Sequence, residues 1–213
     1  MVHDAESQPP FPFAKRALDV ALSGVGLILS APLWVLFAAA IKWHDGGAVF
    51  FTQDRIGEGG RIFNTLKFRS MVPDAEAGLG AVQATVDDPR VTAIGRVLRA
   101  AAMDELPQLW NIFRGDMSFV GPRALRPGET DADQPGEVVP IERIPGFEAR
   151  SRIRPGLTGI AQIYADRDLP RRAKFRYDRL YARTQTFRGD LALILLSFWI
   201  TLRGTWEVRG RKF

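Results

Sequence analysis

The residues best suited to chemistry are two adjacent carboxylates, Asp104 and Glu105, within Met103-Asp104-Glu105-Leu106-Pro107-Gln108-Leu109-Trp110-Asn111. The spacing predicts a short amphipathic helix starting there. Asp104 stands where an N-cap belongs, Pro107 falls in the first turn where its missing N–H costs nothing, and Gly115 closes the far end. Leu106, Leu109, Trp110 and Phe113 mark one apolar face. A helix start offers backbone N–H groups to an anion, and neighbouring acids can divide two tasks, one attacking and one holding a metal. Ordinary capping and the helix dipole favour the same acids, so partners elsewhere in the chain must decide between the two readings.

The candidate partners are cations in separate short motifs. Ala48 to Phe51 reads as a strand, Gln53 to Gly60 as a Gly-rich turn and Ile62 to Arg69 as a second strand, together a hairpin. Alternation puts Lys67 and Arg69 on one face and Leu66 and Phe68 on the other, aiming two cations at a common point; a solvated strand face would look the same. Val91 to Ala102 has helical spacing and carries Arg99 five residues before Asp104. Gly115 to Arg123 reads as turn, strand and turn, delivering Arg123. Arg150 to Gly159, with Arg152 and Arg154, is a basic loop of anion-cradle type, weakly specific by itself.

Composition narrows the chemistry. The 213 residues suit one core, and 29 Lys plus Arg against 24 Asp plus Glu give +5 and favour anionic partners. With no cysteine, disulfides, thiolate metal sites and a cysteine nucleophile are excluded. Two histidines, His3 and His44, leave no basis for a histidine zinc site.

The elements that must position these residues include a membrane segment. Residues 1–13 read as a flexible Pro-rich lead-in without a signal-peptide pattern. Ala17 to Ile41 is 25 residues long with Asp19 its sole charge, long enough to span a bilayer. Pro32, behind Ser30 and Ala31, predicts a kink, and basic residues at both flanks place both ends on the cytoplasmic side. The expectation is a re-entrant helix-hairpin over residues 14–46, its halves packing through Ser23, Gly24, Gly26 and Ala38 to Ala40; a single-pass anchor with a tolerated proline is the alternative. Pro73 to Pro89 reads as loop with a helical turn, and the acidic Gly128 to Pro140 as a mobile loop. Asp166 to Thr184 reads as a basic amphipathic helix suited to an anionic membrane interface, or a plain solvated helix. Leu191 to Leu202, with Trp199 and Trp206, reads as a second interfacial or core helix, too short to span.

Carboxylates, arginines, a lysine and a membrane segment together suit phosphoryl transfer at a membrane surface. Lys15-Arg16-x-x-Asp19, Gln53-x-Arg55-x-Gly57, Lys67-Phe68-Arg69-Ser70-Met71, Asp104-Glu105-Leu106-Pro107-Gln108, Gly115 to Arg123 and Arg154 to Gly159 follow one another in an order that resembles the bacterial sugar transferase family, the monotopic phosphoglycosyl transferases. The resemblance runs from about residue 14 to 205, and six motifs in register make it specific. It implies an α+β fold, mainly helical, with a short β-hairpin, a re-entrant membrane helix kinked at Ser30 and Pro32, interfacial amphipathic helices and a cytosolic catalytic domain over residues 47–213.

The implied reaction moves a sugar-1-phosphate from a UDP-sugar to polyprenyl (undecaprenyl) phosphate. Asp104 would attack the β-phosphorus, expelling UMP and forming a covalent phosphosugar; Glu105, with Asp104 beside it, would hold Mg²⁺. Lys67, Arg99 and Arg123 would contact phosphate, with Arg154 and Asp178 as further members. The setting implied is the first step of exopolysaccharide, O-antigen, capsule or glycoprotein glycan assembly, on the cytoplasmic face of the bacterial inner membrane. Anionic lipid is a partner, nucleic acid is not, and a homodimer is compatible with the pattern. Two residues depart from it: Ala31 replaces the serine that often precedes the kink proline, and Ala124 follows Arg123 where proline is common. Larger relatives carry further membrane helices and a soluble domain, for which this length leaves no room. A non-catalytic basic membrane-surface module is the alternative from another class; it gives no reason for cations to accompany the acid pair. A glycosyltransferase releasing UDP is the closer rival.

Overall fold

The computed structural model describes residues 12–75, 88–134, 137–166 and 169–203. The expected lead-in as far as residue 11, most of the loop after Pro73, and Trp206 lie outside them. The chain is α+β and mainly helical among these residues.

Helix α1, Pro12–Asp45, is 34 residues long and is the one described helix long and apolar enough to cross a membrane. It begins two residues inside the expected lead-in. One face is packed, with Asp19, Ser23, Ser30 and Ile41 buried at four-, seven- and eleven-residue steps, while Val25, Ile28, Leu29, Val35 and Leu36 remain exposed on the other. Both ends are tied to the globular part. Near the start, Arg16 donates to the carbonyls of Ile112 and Phe113, and the Asp19 carboxylate accepts from Ser118 Oγ and the Phe119 amide. At the finish, Asp45 pairs with Arg69. The helix continues through Pro32, and Ser30 Oγ, next to the break in the hydrogen-bond ladder, accepts from Trp34 Nε1 at 3.1 Å. Gly24 and Gly26 serve a different partner from the one expected. A Cβ on Gly24 would lie 3.5 Å from Phe113 and one on Gly26 3.1 Å from Leu109, so these small residues admit the helical segment that carries Leu109 and Phe113.

Strands β1, Phe50–Ile56, and β2, Ile62–Phe68, form the predicted hairpin, with Phe50 opposite Phe68 and Ile56 opposite Ile62. The turn is shorter than expected and Gln53 to Ile56 are strand, because Gly59 and Gly60, both at positive φ, reverse the chain by themselves. Helix α2, Ala93–Ala100, follows, capped by Thr92, whose Oγ1 accepts from the Gly95 amide at 2.9 Å. Helix α3, Gln108–Arg114, ends at Gly115 in the left-handed conformation, as its sequence predicts.

Strand β3, Ser118–Val120, pairs in parallel with β6, Gly156–Thr158. The segments flanking them approach so closely that a Cβ on Gly156 would come within 2.0 Å of the Gly121 amide nitrogen, which only glycine tolerates. Between them, residues expected to form a mobile loop make an antiparallel pair, β4, Thr130–Gln134, and β5, Glu137–Pro140. Glu129 and Asp131 anchor it by gripping Arg171, a tertiary tie invisible in the acidic composition. Helices α4, Phe147–Ser151, and α5, Ile160–Tyr164, are short.

The basic helix expected from Asp166 begins at Arg171 and runs as α6, Arg171–Thr184, with Phe175, Asp178 and Tyr181 turned inward. Phe175 and Tyr181 of its apolar set therefore serve the core, while Leu180 is exposed. Helix α7, Phe187–Arg203, is 17 residues against the 12 expected; Leu193 and Ile200 are buried while Leu195, Phe198, Trp199 and Leu202 are exposed. A helix apolar on both faces needs a second apolar medium. Lys15, Tyr181 and Asp190 bind the N-terminus of α1 to α6 and α7, with Lys15 Nζ 2.5 Å from Asp190 and 3.0 Å from Tyr181 Oη.

Candidate active site

Asp104 and Glu105 occupy a 3₁₀ turn, Met103–Glu105, ahead of α3. The expectation that Asp104 caps the helix is corrected: the cap position belongs to Pro107 and no side chain caps α3. Ala102, at φ 53°, turns the chain left-handed just before the acids, an unusual conformation for a residue with a Cβ. The carboxyls are thus presented to the interior of a cleft instead of folding back on their own helix.

Each partner is positioned by an identifiable contact. Asn111 in α3 accepts from the Leu66 amide at 2.9 Å and donates to the Asn64 carbonyl at 2.7 Å, clamping α3 across β2. The clamp sets Lys67 opposite Glu105, Nζ to Oε1 at 2.5 Å. Arg99 arrives from the last turn of α2, which lies against the end of β2 so tightly that a Cβ on Gly95 would meet the Ser70 carbonyl oxygen at 1.9 Å. Arg123 comes from the loop after β3. Its carbonyl accepts from Arg150, whose Nε pairs with Asp178 at 2.8 Å and whose guanidinium stacks on Phe175.

The acids and these cations line one cavity of about 1230 Å³. Lys67, Arg99, Asp104, Glu105, Arg123 and Asp178, six of the seven residues expected around a substrate phosphate, are all in its wall. Asp178 is buried against Arg150, and burial pushes its carboxyl up while Arg150 opposes the shift. Through Arg150 it steadies the backbone of the Arg123 loop. Arg154 does not join them: its Nε pairs with Glu58 at 3.0 Å, outside the cavity wall. Lys67 and Arg69 both line the cavity, as their shared strand face predicts, with Lys67 paired to Glu105 and Arg69 to Asp45 at the end of α1. Arg55, Arg126, Arg171 and Lys174 line the cavity without having been placed in the site by the sequence reading. The Gln53-x-Arg55-x-Gly57 spacing was the one signal for Arg55, hidden by reading that stretch as a turn.

The adjacent acids differ in electrostatics. Burial, then the charge of Glu105, pushes Asp104 up, with Lys67 and Arg99 opposing. Burial also acts to raise Glu105, but Lys67 and Arg123, with hydrogen bonding from Lys67 and Gln108, outweigh it and hold the carboxyl at about 2. Glu105 keeps 26% of its side-chain surface, enough for ligand access from the cleft. One acid is therefore a fixed anion and the other a carboxylate whose charge is costly, the combination suited to a nucleophile beside an electrostatic anchor.

Among the described residues no group of three or more His, Cys, Asp or Glu gathers as a metal cage. Mg²⁺ commonly takes one or two carboxylates and completes its shell with substrate phosphates and water, and two adjacent acids in the wall of an open cavity fit that arrangement.

A model of the bacterial sugar transferase family matches residues 11–204. The exopolysaccharide production protein ExoY of Rhizobium meliloti is 38% identical, over 85% of this chain and 82% of its own. The UDP-glucose:undecaprenyl-phosphate glucose-1-phosphate transferase of Caulobacter vibrioides is 42% identical, over 85% of this chain and 67% of its own. The undecaprenyl-phosphate glucose phosphotransferase of Komagataeibacter xylinus is 43% identical over 86% of this chain, which spans only 35% of that longer protein.

Proposed function

The chain belongs to the bacterial sugar transferase family, and from that premise we propose that it moves a sugar-1-phosphate from a UDP-sugar to undecaprenyl phosphate through an aspartyl intermediate. The observation that carries the reading is the convergence of Asp104, Glu105, Lys67, Arg99 and Arg123 on one cavity. Each relative above whose name states a reaction is a phosphotransferase acting on undecaprenyl phosphate.

In the first step an Asp104 carboxylate oxygen attacks the β-phosphorus, and the bond to the bridging oxygen breaks, its electron pair leaving with UMP. In the second, an oxygen of the lipid phosphate attacks the acyl phosphate and the Asp104 carboxylate is regenerated. One phosphoanhydride replaces another, so the protein's task is positioning and charge neutralisation. Lys67 and Arg99 neutralise the phosphoryl group under attack, while Glu105, held ionised, keeps Lys67 oriented. Mg²⁺ held by Glu105 and Asp104 would neutralise phosphate charge that these cations leave.

The attachment of both ends of α1 to one globular body supports a monotopic placement, since a helix tied down at both ends keeps them on the same side of a bilayer. Its exposed apolar face, with Trp43 and Trp199, would lie in the interface of the bacterial inner membrane, with the cavity opening on the cytoplasmic face. Incubating the detergent-solubilised protein with UDP-sugars and polyprenyl phosphate tests the reaction. UMP release and phosphosugar labelling lost in Asp104→Asn are expected; UDP release, or full turnover in that variant, would refute it.

A further inference from the structure

Arg55 is a cavity residue to which the reaction above gives no task. Its guanidinium is oriented by neutral acceptors, the Ala124 carbonyl at 2.9 Å and Gln53 Oε1 at 2.5 Å, and no carboxylate among the described residues forms an ion pair with it. It lines the main cavity and also a side pocket of about 20 Å³ shared with Lys67, Glu105, Gln108 and Arg123. Three cations therefore surround that side pocket against one carboxylate, Glu105. A space of that size holds about one water and no phosphate, so a balancing anion would sit in the adjoining main cavity.

Contacts place these groups: Lys67 lies against Glu105, and Arg55 donates to the carbonyl of Ala124, the residue after Arg123, so Arg55 and Arg123 stand together beside the Lys67–Glu105 pair. A diphosphate whose sugar-bearing phosphorus faces Asp104, Lys67 and Arg99 extends its second phosphate toward Arg123 and Arg55.

We propose that Arg55, together with Arg123, forms the subsite for the phosphate on the other side of the broken bond, first that of the departing nucleoside monophosphate and then that of the incoming lipid phosphate. This assignment rests on the two-step transfer proposed above. In-line displacement makes the two phosphates share the subsite, because the acceptor oxygen must approach the acyl phosphate opposite Asp104, along the path by which the first leaving oxygen departed. Burial, then Arg123 and Arg126, draws Arg55 down to about 10, still cationic at neutral pH. Like charges buried together are stabilised by an anion between them, and Arg presents the planar fork that phosphate accepts.

The test is UMP and uridine binding by calorimetry to the full chain in lipid nanodiscs, in the parent, Arg55→Ala and Arg55→Lys, with melting temperature monitored. Arg55→Ala is expected to weaken UMP about tenfold to a hundredfold, the usual effect of losing a charged hydrogen bond, with uridine binding and melting unchanged and Arg55→Lys between the two. Equal UMP affinity in all three proteins overturns the subsite but leaves the transfer reading standing. Parallel loss of uridine and UMP, or lowered melting in both variants, assigns Arg55 to the fold and overturns it as well. A parent that neither binds nor releases UMP removes the transfer reading itself.

Discussion

The pair Lys67 and Glu105 offers a direct measure of the electrostatics on which the site depends. Their side chains retain 20% and 26% of their surface, so solvent screens the contact only in part. The gap between an ordinary glutamate at 4.5 and Glu105 at about 2 corresponds to about 3 kcal/mol in favour of the ionised form, at ~1.4 kcal/mol per pH unit. Because the folded value is depressed, this stabilisation is fully present above about 4.5 and fades as pH falls through about 2. Lys67 is the largest opponent of burial at Glu105, so Lys67→Met leaves a carboxylate beside Asp104 with Arg123 as its main remaining cation. The expected loss at pH 7 is about 2 to 3 kcal/mol, roughly 5 to 10 °C in melting temperature for a chain of this length. The deficit should shrink as pH is lowered from 4.5 toward 2. Adding Glu105→Gln to Lys67→Met removes the stranded charge and should recover most of the melting temperature. Circular dichroism melts of the parent, the single and the double variant across pH decide it. A single variant melting within about 1 °C of the parent at pH 7, or a double variant melting no higher than the single, would refute the reasoning.

Three further outcomes are expected. EDTA should silence UMP release and Mg²⁺ restore it, whereas turnover unaffected by EDTA would remove Glu105 and Asp104 from a metal-holding role. The ionised Asp104 attacks and its carboxyl is raised, so activity should fall with pH before an ordinary aspartate would protonate; Arg99→Gln removes a cation that lowers it and should move that acid limb to higher pH in a pH–rate profile, with an unmoved limb contradicting the assignment. Gly95→Ala forces a Cβ to 1.9 Å from the Ser70 carbonyl and should displace α2, lowering melting temperature and turnover together; a variant with parental melting and activity would show that this contact gives way easily.

Much of the site was legible in one dimension because its motifs are local. The acid pair, Lys67 on a strand, Arg99 at a helix end and Arg123 after a turn can each be read from a few neighbours, and the structure brings them to one cavity. The long apolar helix was equally legible, since length and hydropathy set it. Misreadings occurred where a distant partner decides. Glu129 and Asp131 looked like part of a mobile acidic loop until Arg171, some 40 residues away, ordered it. The pairing of Arg154 with Glu58 and the packing of Gly24 and Gly26 against α3 likewise depend on partners far away in the chain.

The sequence by itself determined the candidate acid pair, the cationic motifs that could accompany it and a helix apolar and long enough to cross a membrane, because side-chain chemistry and hydropathy are properties of residues. Only the tertiary structure decided which cations face which acid. Long-range clamps such as Asn111 across β2 and Arg150 beneath Arg123 set the distances, and through distance and burial they make Glu105 a permanent anion while Asp104, its neighbour in the chain, is held as a costly charge.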